Sequence, residues 1–280
     1  MRFLSSLPSS IGASVWAADE LACVADRVAA TGHAALDAEL PGGGWPLGAL
    51  VELLQPASMT AVWPLLLPAL AERVREPMSG AAQRSAARSA CVVVVNPPHE
   101  PYLPALTAAG VPAARLLWLA ADAPAAQLWA TEQALRCQDV TAVVAWLPRV
   151  QMGELRRLQQ AAAQTGALFF VLRPERTAQS ASPARVRLRV TAEVPTTRRP
   201  RLQLVGEDGP QTPPEAAHGL PALRVDMLKR RGPPLQRPLW LPVCSTAVWA
   251  VAQAALASAR ASKAPTPEVR HALAGIAVAA

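Results

Sequence analysis

The sequence predicts an α/β protein: a mainly parallel β-sheet flanked by helices, with an N-terminal helix and a C-terminal Ala-rich helix and tail. Three observations carry this. Val92–Val95 and Ala142–Trp146 are uninterrupted apolar runs, the form taken by strands buried on both faces of a parallel sheet. Such runs alternate along the chain with segments of helical spacing, the pattern of a layered α/β fold. Hydrophobic residues make up 51% of the chain but aromatics only 4%, so the core material is Ala, Leu and Val.

Taken in order, Ser14–Ala30 sets Trp16, Leu21, Val24 and Val28 close to helical spacing, with Asp19 and Glu20 in the early turns. Thr31–Glu39 separates this helix from a glycine-rich stretch and a short apolar strand. Val62–Arg75 is an apolar helix interrupted by Pro64 and Pro68, where proline removes amide donors. Glu76–Ser89 is small, polar and basic, and is expected to be an exposed loop. Strands at 90–95, 115–119, 140–146 and 167–172 then alternate with helices at 101–110, 124–137 and 151–165. In Arg185–Val194 the first six residues alternate strictly, placing Arg185, Arg187 and Arg189 on one face of a strand. Two readings stay open: an edge strand defended by charge, or a basic stripe for phosphate or an acidic partner. A strand at Arg201–Val205 and a proline-rich break at Glu207–Gly219 precede Leu223–Pro233, a late strand running into Lys229, Arg230 and Arg231. Past Pro238 an Ala-rich helix is expected, then a broken tail from Ala264. The domain reading is an N-terminal helical segment at 1–30, a core at 31–240, and a C-terminal helix and flexible tail at 241–280.

Composition narrows the function. The formal charge is +7 and the pI about 10.2, carried almost entirely by Arg, which favours an acidic partner, nucleic acid or protein. GC-rich coding accounts for the same Arg, Ala and Pro content equally well. Cys23, Cys91, Cys137 and Cys244 are scattered without a C-x-x-C pair, so buried reduced thiols are expected, with no metal site and no disulfide framework. Met1–Ala17 is broken by Ser5, Ser6, Pro8, Ser9 and Ser10 and makes a poor signal peptide. Leu239–Ser258 is uncharged over a bilayer's thickness, but Pro242, Ser245, Thr246 and Gln253 point to a packed helix instead. A cytoplasmic protein without membrane contact is expected.

Residues 40–63, with G-G-x-P-x-G-x-x-x-E followed by an apolar strand, resemble the lead-in to the phosphate loop of RecA-type ATPases. In that family the strand runs into G-x-x-x-x-G-K-[ST], whose glycines wrap the phosphates while Lys and hydroxyl hold charge and metal. Here Gln55 and Thr60 stand for the two glycines, Ala61 for the Lys and Val62 for the hydroxyl. Asn96-Pro97-Pro98-His99 matches the family's acidic tetrad and puts Pro98 at the water-activating Glu. Asp139–Pro148 matches the Walker B strand and puts Ala145 at its Asp. Ala167–Arg173 matches the strand ending in a nucleotide-sensing Gln, here Arg173. The loops at Leu147–Gly153 and Arg173–Ser182, where the family carries its two DNA-binding loops, are both short.

The ordered set of these motifs, with S-P-A-x-x-R-L-x-V at 182–190 and V-x-x-L-K-R-R-G-x-P from Val225, spans about residues 31–233. It is similar to the ImuA family, RecA/SulA-like accessory proteins of bacterial translesion-synthesis operons. That resemblance implies a degenerate RecA-like core without cofactor or catalysis, acting in damage-induced (SOS) mutagenesis. The implied partners are an ImuB-like Y-family polymerase homologue, an error-prone DNA polymerase III alpha-type subunit, RecA, and DNA bound weakly without sequence preference. The resemblance also makes Trp16, Leu21 and Val24 on one side, and Lys229, Arg230 and Arg231 on the other, candidate subunit-type contacts. A SulA-type division inhibitor and a recombinase-like ATPase are the alternatives.

Overall fold

The computed structural model describes residues 27–56, 62–76, 90–193, 222–235 and 237–243. The expected class is the one observed. An eight-stranded sheet contains β3 (Leu50–Gln55), β4 (Cys91–Val95), β5 (Leu116–Leu119), β6 (Val140–Trp146), β7 (Leu168–Pro174), β8 (Val186–Glu193), β9 (Ala222–Lys229) and β10 (Leu239–Pro242). Their order across the sheet is β10-β9-β8-β3-β7-β6-β4-β5. From β8 to β5 every pairing is parallel, while β9 and β10 extend the sheet antiparallel.

Helices cover both faces, as parallel strands without polar alternation require. α2 (Trp63–Arg75) and α3 (Leu103–Ala108) share one apolar cluster with Val51, Leu53, Val92, Val94 and Trp146. On the other face, α4 (Pro124–Arg136) and α5 (Met152–Thr165) pack with Leu50, Val93, Val143, Ala145 and Val171. Consecutive strand residues alternate between the two clusters, the period-2 rule at work.

Local chemistry explains three departures from expectation. Val28–Ala29, placed in the N-terminal helix from sequence, is β1, paired antiparallel with β2 (Trp45–Pro46). A Cβ on Gly44 would lie 2.3 Å from the Ala29 carbonyl oxygen, so glycine lets β1 approach. Trp45, fully buried, packs edge-on against Phe170 at 5.2 Å between ring centroids. The glycine-tryptophan stretch is therefore a structural seam. Second, α2 continues through Pro68. Proline removes the amide that would bond the Pro64 carbonyl, and His33 Nε2 donates to that oxygen instead, at 3.1 Å. His33 precedes a one-turn helix, α1 (Ala34–Asp37). Third, Leu239–Pro242 is a strand and not the start of a helix. Pro242 is tolerated because β10 lies at the sheet's edge. The core thus begins before residue 31 and runs past 240, with its compact unit ending at Val243.

Trp16, Leu21, Val24, the Glu76–Ser89 loop beyond Glu76, the Arg201–Val205 strand and the C-terminal helix and tail lie outside the described residues. Cys91 is half-buried and Cys137 exposed, which corrects the expectation of buried thiols at Cys137: it caps the exposed end of α4. No described helix is long and apolar enough to cross a membrane.

Candidate functional site

The carboxyl ends of β3, β4, β6 and β7 converge on a cleft of about 340 Å³, the place where open α/β sheets bind their ligands. Gln55 ends β3, Asn96 follows β4, Trp146 ends β6, and Leu172 with Arg173 closes β7. Asn96 takes a left-handed conformation (φ 52), one that Asn adopts more readily than other side chains. Its Oδ1 accepts from the Ala121 amide at 3.4 Å, turning the chain sharply after the strand. Pro56, Pro97, Pro98, Pro148 and Pro174 supply much of the wall. None of the described residues lining the cleft is acidic.

Of the candidate phosphate-site positions, Gln55, Pro98 and Arg173 line the same cleft and Ala145 does not. Gln55 is buried at the floor, and Val62 is buried as the N-cap of α2. Thr60 and Ala61 lie outside the described residues. Pro98 stands exposed at the mouth. Ala145 does not face the cleft. Its side chain packs with Leu155 and Leu158 on the α4–α5 face, and the cleft-facing residue of β6 is the next one, Trp146. The Trp146 ring rests against Trp63 of α2 at 5.8 Å.

Beneath the cleft lies a charge cluster that sequence reading missed. Glu52, with no solvent exposure, accepts from Arg173 Nη1 through Oε1 and from Arg187 Nε through Oε2, each at 2.6 Å. Arg173 Nη2 also donates to the Val150 carbonyl at 3.3 Å. Arg187 Nη1 and Nη2 donate to the Ala178 and Thr177 carbonyls at 3.2 and 3.1 Å. Val150 belongs to the loop after β6, and Thr177 with Ala178 to the 3-10 turn after β7 (Glu175–Gln179). One carboxylate between two guanidiniums therefore ties both loops to the sheet and leaves the cluster one net positive charge.

This corrects the edge-strand reading of the arginine stripe and removes Arg187 from the basic-stripe reading. β8 is an interior strand, held by β3 on one side and β9 on the other. Arg187 is buried in the cluster, neither guarding an edge nor free for phosphate. Arg189 pairs with Glu175 at 3.0 Å. Arg185 lines a small cavity with Pro41, Pro46 and Arg231. The late basic cluster also divides. Arg230 turns inward to Glu39, 2.7 Å from its Oε2, and is mostly buried. Lys229 is exposed, its Nζ donating to the Ser182 carbonyl at 3.0 Å, and Arg231 is exposed.

The sequence does carry a signal for the buried cluster. Glu52 is the one acid in the apolar run Leu-Val-Glu-Leu-Leu, and Arg173 is a lone cation at the end of the equally apolar Leu-Phe-Phe-Val-Leu run. Buried charges need partners, so strands of this kind must meet.

Fold and site together define a mainly parallel α/β protein. Among the described residues, its strand-end cleft is walled by proline and tryptophan and underlain by positive charge. No known family profile and no curated protein matches the chain. Among solved structures the chain is similar to SulA from Pseudomonas aeruginosa, at 26% identity over 44% of this chain and 97% of that one, with a TM-score of 0.33.

Proposed function

We propose that this chain is a non-catalytic accessory protein of damage-induced translesion DNA synthesis, a RecA-like core that works without nucleotide. It bridges an ImuB-like Y-family polymerase homologue and an error-prone polymerase of the DNA polymerase III alpha type. The observation that carries the reading is the composition of the strand-end cleft. Phosphoryl transfer depends on positioning and on stabilising charge with Lys and metal-holding acids. Here β6 presents Trp146 to the cleft, the turn after β4 presents Pro97 and Pro98, and β7 ends in an Arg already committed to Glu52. The ordered motifs from the glycine-tryptophan stretch to Lys-Arg-Arg-Gly supply the family context.

The two loops support the same reading. Both are short, and the buried cluster ties them to the sheet through carbonyls of Val150, Thr177 and Ala178. A loop held by buried charge is poorly suited to follow a DNA strand. Lys229 and Arg231 are both exposed, and they are the contacts proposed for an acidic partner.

Co-purification tests the proposal. The full chain should retain the Y-family polymerase homologue and the alpha-type subunit, with no change when Mg-ATP is added. Lys229→Ala with Arg231→Ala should weaken that retention while the fold persists. Capture of a septum protein in place of either polymerase would return the chain to the division-inhibitor reading. Micromolar Mg-ATP binding by calorimetry would overturn the nucleotide-free premise.

A further inference from the structure

We propose that two copies of this chain join at the β5 edge of the sheet, each pairing its β5 antiparallel with the other's. The inference is independent of the adaptor reading. Among the described residues β5 is the outermost strand, with β4 alone beside it. The Leu119 carbonyl accepts from the Asn96 amide, just past β4, at 2.8 Å, so it points toward β4. Backbone groups of successive strand residues point to alternate sides. The N–H and C=O of Leu116 and Trp118 therefore point outward, a row of groups that can template another strand. Leu116 packs with the α2–α3 cluster and Leu119 with the α4–α5 cluster. Alternation then sets Trp118 on the first face and Leu117 on the second. These two are 43% and 49% exposed, so the open edge carries an accessible apolar side chain on each face.

The two edges of the sheet are built differently. β10 ends in Pro242, which has no amide to offer a further strand. From Leu116 to Ala121 there is neither proline nor charge. Between Glu100 and Glu132 the chain holds two charges, Arg115 and Asp122, although 17% of the whole is charged. Depleted charge around an exposed tryptophan is the composition of an interface core. The position of those two charges selects a second copy as the occupant. Arg115 immediately precedes β5, half-buried with Nη1 on the Ala90 carbonyl at 3.4 Å, and exposed Asp122 follows the strand. A two-fold axis at Trp118 sets Trp118 opposite Trp118, Leu117 opposite Leu119 and Leu116 opposite Ala120. Arg115 then falls opposite Ala121, beside the other copy's Asp122, and the complementary approach occurs twice. The same register gives the outward backbone groups of Leu116 and Trp118 their partners and makes apolar cross-strand pairs on both faces. An isologous contact of this kind closes on itself and leaves no β5 edge to propagate. Lys229, on β9 toward the other edge, stays outside the contact.

Light scattering on the full chain at about 100 μM should report the mass of two chains, falling toward one on dilution. Trp118→Lys sets two ammonium groups against each other at the axis and should weaken the dimer about tenfold or more. Asp122→Arg, at an exposed position, should weaken it severalfold, and Arg115→Asp added in the same chain should restore it by reversing both ends. Circular dichroism checks that each variant folds, and the Asp122→Arg pair carries the test if Trp118→Lys does not. Hydrogen exchange gives a second readout: the Trp118 amide should exchange more slowly in the dimer than in the diluted chain. A monomer at about 100 μM overturns the inference. So does a dimer that both single substitutions leave intact, since its contact then lies elsewhere. A monomer whose Trp118 amide slows only on adding a polymerase partner gives this edge to the partner's strand, which also overturns self-pairing. None of these outcomes decides the adaptor reading, which stands or falls on the co-purification above.

Discussion

Replacing Glu52 by Gln keeps the shape of the side chain, removes its charge and turns one of its two acceptor oxygens into an N–H donor facing a guanidinium. Both carboxylate oxygens are engaged at 2.6 Å, and Glu52 is wholly buried with its two arginines nearly so. Removing one partner of a buried ion pair costs about 3–5 kcal/mol, because the other charge is left uncompensated. Two guanidiniums are stranded here, so the upper end, about 5 kcal/mol, is expected. In a domain of this size each kcal/mol shifts Tm by roughly 2–4 °C, giving a fall of about 10–20 °C. Thermal unfolding followed by circular dichroism measures it. Limited proteolysis supplies a second readout, since cleavage should appear first near Val150 and at Glu175–Gln179, the segments the cluster ties down. Glu52→Leu combined with Arg173→Met and Arg187→Met should recover most of the lost stability, as apolar replacements of buried ion clusters often do. It should nonetheless leave the 175–179 turn cleavable, because the carbonyls of Thr177 and Ala178 lose their donors. A Tm within about 3 °C of the parent for Glu52→Gln would refute the reasoning.

Arg187→Gln should cost about 2–3 kcal/mol, through loss of charge-assisted bonds, and leave the salt dependence of any DNA binding unchanged; a flattened salt slope would show that Arg187 reaches phosphate. Gly44→Ala should destabilise by about 1–3 kcal/mol, because the new methyl meets the Ala29 carbonyl, whereas Gly153→Ala, with open space around it in α5, should be neutral or stabilising. Equal denaturation midpoints for the two would contradict this account. The Cys91 thiol is pushed above its ordinary value of 9.0 by burial first, then by Cys137 and Asp139, against the opposing effect of Arg115. Exposed Cys137 should therefore be alkylated before Cys91 at neutral pH, as mass spectrometry of timed samples would show. The unfolded thiol ionises first as pH rises, so the Cys91 contribution to stability is present below pH 9 and is lost through the folded value. Cys91→Ala should flatten that alkaline decline.

The periodicity of apolar residues was enough to place the parallel strands. β4, β6 and β7 are continuous Val, Ala, Leu and Phe runs, and no other element buries both faces of so short a segment. The helices between them followed from spacing and from flanking Pro and Gly. That residues 55–62 do not spell G-x-x-x-x-G-K-[ST] was also legible, because it depends on residue identity along one stretch of chain. Spatial relations between distant residues were not. Val28 reads as helical until Gly44 opens room for β1, and Leu239–Pro242 reads as the start of an Ala-rich helix until β9 offers an edge. The alternation put Arg187 and Arg189 two residues apart on β8, yet no local pattern says which strand lies alongside. That strand is β3, whose single acid stands opposite Arg187 in the register. An exposed basic stripe and a buried counter-charge are identical in sequence, and only burial separates them. Likewise Ala145 and Trp146 exchange roles by one residue, because a strand alternates faces and the sheet's packing decides which face meets the cleft. Local propensity and residue chemistry are properties of the chain, whereas desolvation and charge pairing come into being only when strands 121 and 135 residues away from Glu52 are brought beside it.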